Sequence, residues 1–126
     1  MRFSRFAAAA AVSLLAASPA VAQAPAQVVV DVYSFGFGPH PIQLAAGRPV
    51  TLVFTNRSGS AHDFTAPGFF QHARILAGAL EDGKEVDLKP HESRSITLVP
   101  AAGTWQAHCS HFLHAQMGMT DEIIVK

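Results

Sequence analysis

The stretch that decides how this chain folds is residues 107–119, which read AHCSHFLHAQMGM. It places one thiol, three imidazoles and two thioethers close together along the chain. Thiolate and thioether sulfur suit Cu(I), whereas imidazole also suits Cu(II). A copper ion that changes between these oxidation states needs such a mixture. The stretch therefore predicts a copper site, with most of its ligands on one loop between two strands.

Strand geometry guides the choice among the histidines of this stretch. Side chains alternate between the two faces of a strand, so Cys109 shares a face with Trp105, and His108 is expected to point away from the metal. His111 follows Cys109 too closely, whereas His114 is separated from it by enough loop to turn back towards the sulfur. We therefore favour His114, with His111 as the alternative. A second histidine ligand has to come from elsewhere in the chain.

Cys109 is the chain's single cysteine, and other roles are open to it. An unpaired cysteine is often a buried inert thiol, and it can also form an intermolecular cross-link or act as a nucleophile. A nucleophile would need His62 or His114 as its base. The positions of His114 and Met119 relative to Cys109 favour a metal ligand over these alternatives.

The spacing Cys109-x4-His114-x4-Met119, followed by a strand-like segment, resembles the C-terminal copper loop of one known family. This family is the cupredoxins, the blue or type 1 copper proteins such as plastocyanin and azurin, and the loop is also similar to that of laccase-type multicopper oxidases. Residues 41–56 resemble the cupredoxin strand that precedes the first histidine ligand. The ligands that this resemblance implies for one type 1 copper ion are His62, Cys109, His114 and Met119.

Three details bear on the resemblance. In the family, the Gly-Met pair before the last strand supplies the axial thioether, which favours Met119 while Met117 stays open as the alternative. Laccases have a histidine on each side of the cysteine, whereas Ser110 follows it here, which weakens the oxidase interpretation. Many single-domain cupredoxins have asparagine after the first histidine, where this chain has Asp63. Asp63 can accept a hydrogen bond from the Ser110 hydroxyl.

The fold class expected from the pattern is all-β, with about seven strands and a short helical insertion. Val50, Leu52 and Phe54 alternate with polar residues, as in a half-buried strand. Residues 36–39 are expected to form a turn, because glycine and proline are concentrated there. Apolar residues from Phe69 to Leu80 recur at helical intervals, which predicts the insertion. The resemblance implies that these elements form a cupredoxin-like Greek-key β-sandwich.

The first residues predict export. Residues 1–22 have a basic start, an apolar alanine-rich run and small residues at the end, as in a secretory signal peptide. Cleavage is expected after Ala22, with Ala24 as the alternative, leaving residues 23–126 as one cupredoxin domain. The apolar run is too short to span a membrane. We expect a periplasmic or secreted protein, and its nearly balanced charge gives no indication of nucleic-acid binding.

The function that this ligand set serves best is electron transport between redox partner proteins. We expect a monomer, not an enzyme, that docks its partners near His114, on an apolar rim formed by Phe112, Leu113, Ala115 and Met117. The alternative is a copper protein for resistance or delivery, with a redox enzyme as a third possibility that would need a second copper site. His40, His72 and His91 are expected to be solvated, as is the mixed-charge run from residue 81 to residue 87.

Overall fold

The computed structural model describes residues 9–18, 24–111 and 113–126, which form ten β-strands and one short α-helix. In chain order the elements are β1 (Ala26–Tyr33), β2 (Gly36–Gly38), β3 (Ile42–Leu44), β4 (Val50–Asn56), β5 (His62–Thr65), α1 (Pro67–His72), β6 (Arg74–Ala77), β7 (Glu85–Leu88), β8 (Ser93–Val99), β9 (Gly103–His108) and β10 (Thr120–Val125). The all-β prediction is confirmed, although the strands outnumber the seven expected.

The strands form two five-stranded sheets. The strand order is β2-β1-β4-β8-β6 in the first sheet and β3-β10-β9-β5-β7 in the second. The pairs β1–β4 and β3–β10 are parallel, and the remaining neighbours are antiparallel. Two mixed sheets that share one apolar core make a β-sandwich of the kind expected.

The core lies between the two sheets and follows the predicted alternation. Val50, Leu52 and Phe54 of β4 are buried, while the residues between them are partly exposed. Phe64 from the second sheet packs against Phe54, with ring centroids 4.8 Å apart, and against Phe37, at 5.2 Å. Each such side chain contributes roughly 1.5–3 kcal/mol when it is fully buried. This aromatic cluster therefore fixes how the first sheet sits on the second.

The helical insertion is shorter than predicted. The helix ends at His72, and Arg74–Ala77 forms a strand that pairs with β8 at the edge of the first sheet. Leu76 is exposed, so the helical spacing of apolar residues does not correspond to a buried helical face. The hydrogen bonds offered by the edge of β8 outweigh the local helical pattern.

The turn predicted at residues 36–39 is also wrong in its position. Gly36–Gly38 is strand β2, paired antiparallel with β1, and the chain reverses just before it, at Ser34 and Phe35. Phe37 points into the core, which explains why this glycine-rich segment is held as a strand.

The predicted signal peptide falls largely on residues that are not described. Residues 1–8 and 19–23, which include the expected cleavage site after Ala22, lie outside the described part of the chain, while residues 9–18 are exposed and have no regular secondary structure. In the described ranges, no helix has the length and apolar character needed to cross a membrane.

Candidate metal centre

Three elements of the second sheet meet at one of its ends and bring the predicted ligands together. His62 begins β5, Cys109 directly follows β9, and the loop that contains His114 leads into β10. Cys109 Sγ lies 3.3 Å from His114 Nδ1 and 3.9 Å from His62 Nδ1. These three ligand atoms form a group within 4.8 Å of one another. The structure thus brings together the sequence-predicted cysteine and both sequence-predicted histidines.

Met119 closes the same loop and lies near the other three residues. Its backbone N–H donates to the His114 carbonyl at 3.0 Å, and its carbonyl accepts from the Cys109 N–H at 3.1 Å. The Met119 side chain is fully buried, whereas Met117 is 59% exposed. Of the two methionines that the sequence left open, only Met119 is enclosed with the cluster.

Burial controls the protonation of His62 and Cys109, the two buried titratable groups among the predicted ligands. Burial, reinforced by the imidazoles of His114 and His111, lowers the pKa of His62, which favours the neutral ring that a metal ligand requires. Burial raises the pKa of the Cys109 thiol, so the thiol keeps its proton until a cation displaces it. The pair is therefore uncharged at neutral pH before a metal binds.

The other nitrogen of His62 is unsatisfied. Nε2 is buried and has no hydrogen-bond partner among the described residues. Leaving a buried polar atom unpaired costs about 1–3 kcal/mol. Such costs are expected where a residue serves a functional site rather than stability.

The predicted hydrogen bond between Asp63 and Ser110 is present, and it is part of a larger set. The Ser110 hydroxyl donates to Asp63 Oδ2 and the Ser110 N–H donates to Oδ1, while the Thr65 hydroxyl also donates to Oδ1. Asp63 itself is buried. This carboxylate joins the β5 segment that carries His62 to the loop that follows Cys109.

A second hydrogen-bonded group supports the segment before His62, and the sequence pattern did not predict it. The buried Asn56 side chain donates to the carbonyls of Ser60 and Lys89, at 2.7 and 3.0 Å, and accepts from the hydroxyl and the N–H of Ser58. The sequence indicated a turn after β4, but the turn-forming residues do not show which backbone carbonyls the Asn56 side-chain amide contacts.

The partly buried ring of His114 lies beneath an apolar surface. Phe35, from the turn between β1 and β2, makes an edge contact with it, with ring centroids 5.3 Å apart. Leu113 and Met117 are exposed beside it, as the sequence predicted, and Phe112 lies outside the described residues. Phe35 was missed, because its contact with His114 joins segments that are distant in sequence.

His111 does not join the group formed by His62, Cys109 and His114. Its Nε2 lies 3.6 Å from Asp63 Oδ2, and its ring stacks on that of His114 with a centroid distance of 5.4 Å. His108 belongs to none of the potential metal-binding groups found among the described residues, which agrees with the expectation that it points away.

His40, His72 and His91 are exposed, as expected, and most of the charged run is exposed too, but some of these side chains also have partners. His40 is exposed, but its Nδ1 lies 2.6 Å from Oδ1 of the buried Asp121, so it partners a carboxylate. In the charged run after residue 80, Glu81 pairs with Arg94 and is only partly exposed. His72 is also more than solvated, since its ring stacks on Trp105 at 4.8 Å.

Comparison with known proteins agrees with this architecture. A family model for the cupredoxin-like domain matches residues 6–125, nearly the whole chain. The chain belongs to the cupredoxin-like family. A search of curated proteins found no match.

Several solved structures share the fold. Auracyanin B is 22% identical, with 84% of this chain and 93% of that chain covered at a TM-score of 0.60. Auracyanin A, described as a "blue" copper protein from Chloroflexus aurantiacus, is 18% identical over 79% of this chain and 99% of that one, with a TM-score of 0.55. A multicopper oxidase from Campylobacter jejuni is 12% identical over 89% of this chain and 32% of its own, with a TM-score of 0.63.

Proposed function

We propose that this chain is an exported blue-copper protein that carries single electrons between redox partners. One copper ion would be held by His62, Cys109, His114 and Met119. Export to the periplasm or the exterior rests on the signal peptide expected at residues 1–22. An oxidase activity is not proposed, because Ser110 follows Cys109 where laccase-type oxidases have a histidine.

The observation that carries the proposal is the convergence of two imidazole nitrogens and one thiol sulfur from separate parts of the second sheet. Ligand atoms bound to one ion at about 2.0–2.3 Å are separated from each other by roughly 3–4 Å. The separations of 3.3 and 3.9 Å from Cys109 Sγ fit this requirement. Two imidazoles, a thiolate and a nearby thioether are the donor set of a blue-copper site.

The bound copper would supply a one-electron couple between Cu(I) and Cu(II). The protein's contribution is to keep the donors in place in both states. His62, Cys109 and Met119 are buried, so water has little access to the centre. The hydrogen bonds from Ser110 to Asp63 fix the segment after Cys109. A site that is held in this way changes little as an electron moves, which lowers the barrier to transfer.

The partners would dock on the apolar face around His114, which we call the His114 face and define as Phe35, Leu113, Met117 and the His114 edge. These apolar side chains are exposed at one end of the sandwich. Redox encounters bury small interfaces and are short-lived. A small apolar surface next to a metal ligand suits such an encounter.

The proposal is tested by adding one equivalent of Cu(II) to the purified metal-free protein and recording visible and electron paramagnetic resonance spectra. We expect an intense thiolate-to-copper band that is absent in Cys109→Ser and strongly weakened in His62→Ala. Met119→Leu should shift the spectrum and the reduction potential, while its matched control Met117→Leu should leave both unchanged. A wild-type protein that stays colourless would overturn the proposal.

Copper delivery is the second candidate function, and one observation favours it. Cys109 also belongs to a second, more exposed group of potential ligands that contains Asp63 and His111. A delivery protein should lose copper rapidly to a competing ligand such as a chelating peptide. A carrier should retain the metal through repeated cycles of reduction and oxidation, which cyclic voltammetry measures directly.

A further inference from the structure

Cys109 is shared by two overlapping groups of potential metal ligands. The inner group adds His62 and His114, and the outer group adds Asp63 and His111. In each group the ligand atoms lie within 4.8 Å of one another. The two groups thus form two adjacent potential metal sites that share the sulfur of Cys109.

The two groups differ in their access to solvent. The His111 side chain is 41% exposed, whereas His62 is 2% exposed. The ring centroids of His111 and His114 are 5.4 Å apart, and the ring planes are within 15° of parallel. A ligand that reaches solvent therefore stacks directly on a ligand of the inner group.

The surroundings favour one side for the entry of a hydrated cation. On the His114 face, the exposed side chains of Phe35, Leu113 and Met117 are apolar, and a charged ion gains nothing there. By contrast, His111 lines an open cleft of about 520 Å³ that none of these apolar residues borders and that contains five carboxylate side chains and only two cationic ones. A cleft lined with charge of one sign attracts and concentrates ions of the opposite sign.

We propose that His111 and Asp63 form a capture site that receives hydrated Cu(II) from this acidic cleft and passes it to His62 and His114, with Cys109 bonded throughout. The inference rests on the proposed copper-binding function and concerns how the site is loaded. Asp63 is suited to temporary binding, because its oxygens already accept hydrogen bonds from Thr65 and Ser110, which leaves fewer lone pairs for an ion.

The transfer is an exchange of ligands in which no electron moves. The Cys109 thiol gives its proton to water when the sulfur first binds. The bonds from His111 Nε2 and from an Asp63 oxygen then break, as bonds from His114 Nδ1 and His62 Nδ1 form. The ion keeps its charge and remains Cu(II) at the end of the exchange.

The test is stopped-flow mixing of full-length or signal-cleaved metal-free protein with Cu(II), following the thiolate-to-copper absorbance. Wild-type protein should load in two phases, with a first species whose spectrum differs from the final one. His111→Ala should reach the same final spectrum and affinity but load several-fold more slowly, because the ion loses the solvent-exposed imidazole of the capture site while the charge of the cleft is unchanged. Asp63→Asn, whose amide oxygen still accepts the Ser110 N–H, should also load more slowly.

Release supplies an independent measurement. A capture site changes the rates in both directions and leaves the equilibrium alone, so loss of copper to excess EDTA should slow by the same factor in His111→Ala. The matched control is His72→Ala, which removes an exposed histidine that stacks on Trp105 and belongs to neither group. Its loading and release should equal those of the wild type. His111→Gln provides a second variant should the alanine variant fold poorly.

The outcomes separate this inference from the proposed function. Absence of the thiolate-to-copper band in the wild type would overturn the function itself. A normal band with wild-type loading in both His111 variants would overturn the capture site and leave the function standing. A changed final spectrum or affinity in His111→Ala would make His111 a resident ligand, which also contradicts capture.

Discussion

The Asp63 carboxylate binds Ser110 through two hydrogen bonds, from the Ser110 N–H to Oδ1 at 2.8 Å and from its hydroxyl to Oδ2 at 2.6 Å. Asp63 follows His62, and Ser110 follows Cys109. The segments that carry the candidate ligands His62 and Cys109 are therefore joined directly beside these two residues. Because the acceptor is a buried carboxylate, both bonds are charge-assisted and stronger than bonds between neutral groups.

Removing this carboxylate should destabilise the metal-free protein. Asp63→Ala leaves the N–H and the hydroxyl of Ser110 without their acceptor, whereas the Thr65 hydroxyl keeps Glu85 Oε2 at 3.0 Å, and hydrogen bonds to charged groups contribute about 1.5–3 kcal/mol each. We expect a loss of about 2–3 kcal/mol in the free energy of unfolding. Urea titration followed by the fluorescence of Trp105, the chain's single tryptophan, measures it.

The matched variant for this experiment is Asp63→Asn. Its amide oxygen still accepts from the Ser110 N–H, so the loss should be clearly smaller than in Asp63→Ala. Equal unfolding midpoints for Asp63→Ala and the wild type would show that the joining of the two segments does not contribute to stability.

Charge on the His114 face should slow electron exchange without removing copper. Leu113 is 47% exposed beside His114, and replacing it with glutamate places a carboxylate where two apolar faces would meet. A buried unpaired charge is costly in such an encounter, so we expect the rate of electron self-exchange to fall by about tenfold or more in Leu113→Glu. Broadening of nuclear magnetic resonance lines in mixtures of the oxidised and reduced protein gives this rate.

Leu76 offers a control with almost the same exposure. It is 46% exposed and lies on β6, at the edge of the first sheet. Leu76→Glu should exchange electrons at the wild-type rate. If Leu113→Glu and Leu76→Glu are slowed equally, the effect belongs to net charge, and the His114 face is not the docking surface.

The reactivity of Cys109 should depend on pH in a defined direction. Burial raises the pKa of this thiol, so the protonated form predominates at neutral pH in the metal-free protein. The thiolate is the reactive form, and its fraction rises about tenfold for each pH unit below the pKa. Reaction with an aromatic disulfide reagent should therefore be slow at pH 7 and should accelerate up to the raised pKa.

Unfolding exposes Cys109 and therefore removes the rise in the pKa of its thiol. In guanidinium chloride, Cys109 should react at the rate of an ordinary cysteine, which sets the reference for the folded protein. Stoichiometric Cu(II) should block the reaction in the folded state. A folded, metal-free protein that reacts as fast as the unfolded one at pH 7 would contradict the burial described for this sulfur.

The parts of the site that lie close together in sequence were predictable. The spacing of Cys109, His114 and Met119 indicated a ligand loop, because a loop between two adjacent strands returns its ends to one place. His62 could be assigned only through the family resemblance, since nothing local distinguishes it from a solvated histidine. The structure then places its Nδ1 near the sulfur.

Contacts between segments that are distant in the chain could not be predicted from the sequence. The edge contact of Phe35 with His114 and the pairing of His40 with Asp121 join residues far apart in the chain. Their partners depend on how the sheets pack, and no local pattern encodes this packing. The same limit explains why Arg74–Ala77 was expected to be helical, although β8 provides hydrogen bonds that hold it as a strand.

The effect of Gly78→Ala on stability depends on the structure around it: the substitution would stabilise a helix but should destabilise the segment observed beside β8. As part of a helix it would be a weak point, and alanine in its place would be stabilising. In the structure it follows β6 with φ of +91°, and a Cβ atom would lie 2.6 Å from the Ser95 carbonyl oxygen and 2.8 Å from Ile96 Cδ1. Gly78→Ala should therefore destabilise the protein by about 2–4 kcal/mol, through backbone strain and overpacking against β8.

Gly83→Ala separates these two causes. Gly83 also has a positive φ, +67°, but a Cβ atom there meets nothing within 4 Å, so only backbone strain of about 1–2 kcal/mol applies. Urea unfolding of both variants should show the larger loss for Gly78→Ala, because only its side chain is forced against β8. Equal losses of unfolding free energy in the two variants would show that backbone strain alone causes the effect. A Gly78→Ala variant more stable than the wild type would support the helical interpretation of this segment and contradict the pairing of β6 with β8.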